Sequence, residues 1–278
     1  ALAPLQMLPP IRMVLPYYLG LMFMFGVAGA MGTASALESL VKAIAEFAKF
    51  SASTAAFGQE MAGLGFPSIL GAMTQAPFDT IGDSLRGTQG IMLDMYRQPD
   101  KLQQALELIL PDAIQMGVIS ASISPSPTVF IPLHKGPMGF MSLEQFKTFY
   151  WPTLHKLMLA LIDQGLVPMP FIEADYTDRL EIISDIPKGK AIYWFERSDV
   201  FKAKEVLGDR VCIKGNVPSA LLCTGTTEEV KAYCKKLIDV VGKGGGLIVD
   251  GDIGIADEAK PENVRAMTDF VKEYGVYR

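Results

Sequence analysis

Pairs of carboxylates and single basic residues close several apolar runs in the second half of this chain. Glu173 and Asp175 follow the run 167–172, and Asp250 and Asp252 follow the run 247–249. Two carboxylates this close raise one another's pKa or bind a cation. His134 closes the run 128–133, where an imidazole suits acid–base work or metal ligation. Lys214 and Asn216 flank Gly215 after the run 211–213; they could hold an anionic group where the glycine lets backbone come close. Cys223 lies further into that loop and could reach a metal, although a buried structural thiol is the commoner role.

Each of these has a plainer reading. Asp175 precedes a helix-like segment and suits a cap. Lys214 to Pro218 could simply order a turn, and His134 could be a hydrogen-bonded structural residue. Glu196, closing the run 191–195, is expected to pair with Arg197 or Lys202 as an ordinary charge. Lys135 should point away from His134 if the strand persists, whereas Glu173 and Asp175 should share a face. His155 sits mid-helix beside Lys156 and is expected to be a structural or surface residue.

The elements that must position these residues alternate between strand and helix. Most of the apolar runs lead into a helical segment, and residues 68–73 add a sixth strand. Ser142-Leu-Glu-Gln145 and Thr226-Thr-Glu-Glu229 have the form of capping boxes. Pro99 splits two helices, Pro152 marks a break, and Pro261 suits a first helical turn. Such alternation implies a parallel sheet with right-handed crossovers, which gathers the strand endings on one rim. The expected class is α/β, a (β/α)8 TIM barrel, whose eight strands exceed the six found. Two βα units are therefore expected upstream of Ala1 or hidden in the N-terminal segment. The domain expectation is one barrel over 1–278, with a helical segment over 1–64 packed on it and six βα units over 65–278. An open doubly wound sheet would need a glycine-rich nucleotide fingerprint, and Gly242-Lys-Gly-Gly-Gly246 precedes a strand instead.

Half of the 278 residues are hydrophobic and 20% are charged, which excludes a disordered chain. A net charge of −5 without a basic cluster argues against a nucleic-acid partner. Three cysteines cannot all pair with one another, so a reducing, cytoplasmic location is expected. Residues 13–37 carry no charge and are long enough to cross a bilayer. Pro16, Gly20, Gly26, Gly29 and Gly32, with no flanking basic cluster, favour instead a buried loop and helix packed on the barrel or on a second copy. No membrane partner is expected, and a homodimer is compatible with the segment.

Several motifs then occur in a particular order: Gly71-Ala-Met-Thr-Gln-Ala-Pro77, His134-Lys-Gly136 with Phe140-Met-Ser-Leu-Glu-Gln-Phe146, and Lys214-Gly-Asn-Val-Pro218 followed by Gly225-Thr-Thr-Glu-Glu-Val230. Gly245-Gly-Leu-Ile-Val249 leading to Lys260-Pro-Glu-Asn263 completes the series. In these the chain resembles the uroporphyrinogen decarboxylase superfamily of (β/α)8 barrels, which includes corrinoid-linked methyltransferases. The resemblance implies for the decarboxylases an arginine-and-glycine loop and a pyrrole-gripping aspartate, neither of which can be assigned here. For the zinc methyltransferases it implies a His-x-Cys pair and a later cysteine. Glu173-Ala174-Asp175 and Asp250-Gly251-Asp252 stand at those places, and carboxylates suit harder metals or a mixed zinc site. The leading expectation is a methyltransferase moving a methyl group between a small methylated compound and a corrinoid on a partner protein. His134, Glu173 and Asp252 would carry catalysis; Glu173, Cys223 and Asp252 would hold a divalent metal, expected to be zinc; Lys214, Asn216 and Asp175 would bind substrate. The alternatives are uroporphyrinogen decarboxylation and a non-catalytic tetrapyrrole- or corrinoid-binding subunit.

Overall fold

The computed structural model describes residues 9–66, 68 and 71–276, with side chains from Gly32 onward except at residue 33. Its contacts divide the chain into two units, at the junction between Pro67 and Ser68. The first unit contains one helix, α1 (Pro9–Gly63). Residues 13–37, expected as loop and helix, are helical throughout; alanine, leucine and methionine are strong helix formers and outweigh the scattered glycines. The side chains of most of that uncharged run lie outside the described residues.

The second unit is built on six strands: β1 (Ala72–Met73), β2 (Thr128–Leu133), β3 (Val167–Ile172), β4 (Ile192–Phe195), β5 (Cys212–Lys214) and β6 (Leu247–Ile248). They form one sheet in the order β1-β2-β3-β4-β5-β6, and every neighbouring pair is parallel. All six expected strands are present. The first is shorter than the expected 68–73, although residues 69 and 70 lie outside the described set. Sequential parallel order is the arrangement of a (β/α)8 barrel, and it brings all C-terminal strand ends to one rim.

Side chains alternate across β2. Val129, Ile131 and Leu133 belong to the main core under the helices. Phe130 points to the opposite face, where its ring lies 6.1 Å from both Phe171 and Trp194. On the helical side, α2 (Pro77–Thr80) follows β1 and continues as a π-helical turn over Ile81–Leu85. Next come α3 (Thr88–Arg97) and α4 (Pro99–Ser122), separated at Gln98 as Pro99 predicts. After β2, α5 (Leu143–Gln145) opens with the expected Ser142/Gln145 capping box. A π-helical turn, Phe146–Tyr150, precedes α6 (Trp151–Asp163), whose first turn carries Pro152. The break predicted at Pro152 is this junction, because proline lacks the N–H that a helix interior needs.

A 3-10 turn (Thr177–Arg179) and α7 (Leu180–Ile183) follow β3; α8 (Val200–Leu207) follows β4. Beyond β5 come α9 (Ser219–Thr224) and α10 (Thr227–Lys236), the latter with the expected Thr226/Glu229 box. The last helix is α11 (Pro261–Tyr274), with Pro261 in its first turn. The apolar stripe of α6, Leu154, Leu157, Met158 and Leu161, is fully or almost fully buried. Truncating Leu157 removes a side chain with no exposure, so Leu157→Ala should lower unfolding stability by about 2–5 kcal/mol. Urea unfolding monitored by circular dichroism measures this, and an unchanged midpoint would contradict the packing.

Candidate functional site

The described residues bring together a histidine and carboxylates from three successive βα units. β2 ends at Leu133, and the chain bends through His134 and Lys135 rather than continuing as strand. Asp83, in the π-helical turn after β1, places Oδ2 2.6 Å from His134 Nδ1. Glu173, directly after β3, places Oε1 3.6 Å from His134 Nε2. Both ring nitrogens thus face a carboxylate. Burial works against a charged imidazole, but the Asp83 hydrogen bond and the charges of Glu173, Asp79 and Asp83 outweigh it and raise the His134 pKa. Its side chain is 37% exposed, so it can exchange protons with solvent or substrate.

Glu173 is itself raised, first by burial and then by the charge of Glu196, with the imidazole pulling the other way. Asp83 is lowered: although burial raises it, hydrogen bonds from Lys135 and His134 prevail. Lys135 donates to Asp83 Oδ1, and Gln75 Nε2 donates to Oδ2 at 2.7 Å. Lys135 therefore converges on the same carboxylate as His134. Strand alternation predicted the reverse, and it fails because the strand has ended.

Asp79 and Asp83 escaped the sequence analysis. They stand four apart in Pro77-Phe-Asp-Thr-Ile-Gly-Asp83, a helical spacing that puts both on one side of the segment after β1. That spacing was the available signal. Asp79 is fully buried; burial raises its pKa to about 6, against hydrogen bonds from the Tyr150 hydroxyl and the His134 N–H.

The other expected site residues lie on the same rim in other arrangements. Glu173 and Asp175 do not share a face, since β3 stops at Ile172 and Ala174 turns the chain at φ 60°. Asp175 Oδ1 instead accepts from Thr177 N at 2.8 Å and Thr177 Oγ1 at 2.6 Å, an Asx turn just before the 3-10 segment, whose N-cap is Tyr176 and not Asp175. Glu196 Oε2 accepts from Ala174 N at 2.6 Å, and Oε1 pairs with Arg197 at 3.1 Å.

Lys214 is 2% exposed; its Nζ lies 2.5 Å from Asp250 Oδ2 and 3.0 Å from the centre of the Trp194 ring. Burial lowers its pKa, partly offset by Asp250. Asn216 Nδ2 donates to the carbonyls of Glu196 at 3.1 Å and Ser198 at 3.3 Å, while Oδ1 accepts from Tyr233 at 3.0 Å. The preceding Gly215 has φ +110°, and a Cβ there would sit 2.7 Å from the Phe195 carbonyl oxygen. Asp252 accepts from Ser219 N at 3.0 Å and from the Ser219 hydroxyl, at the start of α9. With Glu196, Arg197, Asn216 and Tyr233 it also lines a cleft of about 430 Å³.

The donor set can be tested against the zinc that the resemblance implies. Cys223 is half-buried on α9, and Asp252 is bonded to Ser219 at the start of that helix. Among the described residues no group of three or more His, Cys, Asp or Glu side chains is arranged to hold a metal ion. His134 turns its two nitrogens to two separate carboxylates, one of which already takes the Lys135 ammonium. The residues present do not form a tetrahedral zinc set.

These contacts predict the ionisation of His134. Glu173→Gln removes a charge that raises the imidazole pKa, so the His134 midpoint should move down. Proton NMR of the two histidines resolves it, and a midpoint that holds or rises would refute the pairing.

A family model, "Uroporphyrinogen decarboxylase (URO-D)", matches residues 40–274. Among named relatives, a uroporphyrinogen decarboxylase of Chlorobaculum tepidum is 27% identical over 184 residues, covering 64% of this chain and 51% of that protein. One of Methylococcus capsulatus is 25% identical over 205 residues, covering 72% and 57%. The chain thus spans little more than half the length of these relatives. A solved structure described as a methyltransferase from Methanosarcina mazei superposes with a TM-score of 0.61 at 22% identity, covering 73% of this chain and 58% of its own. That likeness bears on the fold. With the family model extending over most of the chain and six parallel strands in barrel order, this protein belongs to the uroporphyrinogen decarboxylase family of TIM-barrel proteins.

Proposed function

We propose that this protein is a methyltransferase that moves a methyl group from a small O-methyl compound to a corrinoid carried by a partner protein, with His134 as the proton donor. The carrying observation is the charge balance at the strand ends. Lys135, Arg197 and Lys214 are each already paired with a carboxylate, while His134 is held between Lys135's partner Asp83 and one more, Glu173. Uroporphyrinogen carries eight carboxylates and needs unpaired cations to grip it. A small neutral ether has no such need, and it does require an acid.

As the C–O bond breaks, the electron pair stays on oxygen, which takes the proton from His134. A reduced corrinoid supplies the electron pair that accepts the methyl group. Glu173 and Asp83 keep the imidazole charged and aimed, and His134 regains its proton from solvent. A protonated donor is needed least for a quaternary amine, whose leaving group departs neutral, so oxygen is the preferred heteroatom. No step is assigned to a metal.

The names of the relatives favour a second reading, decarboxylation of uroporphyrinogen. Incubation of the purified chain with cob(I)alamin and a series of methyl ethers, followed by methylcobalamin absorbance, separates the two. The reading expects methyl transfer that His134→Gln reduces by about 10²-fold or more. Because the donor must be protonated, activity should be full below the raised His134 pKa and fall as pH rises through it. Absence of transfer, with carbon dioxide released from uroporphyrinogen, would overturn it in favour of the decarboxylase. Activity untouched by His134→Gln would leave a role in binding alone.

A further inference from the structure

The turn that presents His134 is gripped from both sides by fully buried residues of opposite charge. From the segment after β1, Asp79 accepts the backbone N–H of His134 on Oδ2 at 3.1 Å and that of Lys135 on Oδ1 at 3.0 Å. The Tyr150 hydroxyl donates to Oδ2 at 2.6 Å. From the segment after β3, Arg179 donates Nε–H to the Gly136 carbonyl at 2.7 Å and Nη2–H to the Met141 carbonyl at 2.6 Å. Its third arm pairs with Asp178, and the guanidinium carbon lies 5.2 Å from the centre of the Phe146 ring. Asp79 and Arg179 both have zero exposure. Between them Gly136 has no room for a side chain, since a Cβ would collide with the Tyr176 hydroxyl and approach the Tyr150 ring to 2.9 Å.

The same two segments also supply the carboxylates that face the imidazole. The first gives Asp79 to the backbone and Asp83, four residues on, to the ring. The second gives Glu173 to the ring and Arg179, six residues on, to the backbone. Each neighbouring βα unit therefore offers one buried residue to the turn and one half-exposed residue to the ring.

We infer that Arg179 and Asp79 are positioning residues for His134, fixing its turn so that the imidazole meets Asp83 and Glu173 together. Burying a guanidinium and a carboxylate is costly, and here the cost is offset by hydrogen bonds that go to the backbone of this one turn and its flank. Two such groups, one on each side of a three-residue turn that begins with the candidate acid, hold that turn to a narrow geometry. Any role in methyl transfer rests on the function proposed above; the positioning itself does not.

The groups facing the imidazole are Asp83 and Asp79 from one side, Glu173 from the other, and the adjacent Lys135. Arg179 touches none of the ring's nitrogens. This separates charge from position. Deleting a nearby buried cation should, by charge alone, raise the His134 midpoint. If Arg179 acts by position, its loss lets the ring drift from both carboxylates, and the midpoint falls.

The test is proton NMR titration of the full chain, with His155→Gln assigning the two imidazoles. Arg179→Lys keeps the charge but loses the two-pronged donor; Arg179→Met keeps the bulk but loses the charge. Both should lower the His134 midpoint by about half a pH unit or more, about threefold in proton affinity. A midpoint that holds in both, or rises in Arg179→Met, would overturn the inference. Gly136→Ala strains the same turn without touching either charge and should act in the same direction. If all three variants lose the native near-ultraviolet dichroism, the residues are general supports of the fold and the inference also fails. A lowered midpoint in a protein that shows no methyl transfer would keep the positioning role and discard the reaction.

Discussion

An imidazole whose pKa is raised on a partly wetted rim depends on carboxylates that face it and cannot turn away. His134 meets this condition because Asp83 and Glu173 come from the βα units on either side of its own. The constraint runs through parallel pairing: β1 to β2 and β2 to β3 in register places three strand endings side by side. Moving any one of the three units would leave the imidazole with one partner or none. The buried network beneath, Asp79 with Tyr150 on one side and Arg179 on the other, ties the same three units through backbone groups.

Polar groups this deep are expensive, and the two charged ones beneath the turn are satisfied. Asp79 takes three donors on two oxygens, and Arg179 spends its hydrogens on two carbonyls and Asp178. The opposite face of the sheet carries Phe130, Phe171 and Trp194, with the Lys214 ammonium over the indole. Lys214 is thereby closed within its own pair with Asp250, which accounts for a basic residue at a strand end without a free charge.

Some of the site was readable in the residues and some was not. His134 and Glu173 stood out as polar endings of apolar runs, and their meeting followed once the strands were parallel and adjacent. Asp83 was hidden because the segment after β1 is a π-helical turn, whose register no apolar period announces. Asn216 looked like a ligand-binding amide, but its hydrogen bonds go to the Glu196 and Ser198 carbonyls and to Tyr233. Asp252 looked like a partner for Glu173 and instead anchors Ser219. In both cases a nearby backbone group supplies a hydrogen-bond partner, and only the bend of the loop shows which.

The chain's own residue pattern determined the strands, their parallel sense, the two capping boxes and the proline-marked helix starts, because period and cap chemistry act over a few neighbouring residues. Tertiary structure alone decided that Lys135 turns toward Asp83, that Asp175 turns away from Glu173, and that Asp79 and Arg179 meet one turn from opposite sides. Those outcomes depend on where strands stop and on contacts between residues more than forty positions apart, as from Asp79 to His134 and from Arg179 to Gly136. Local periodicity carries no information over that distance.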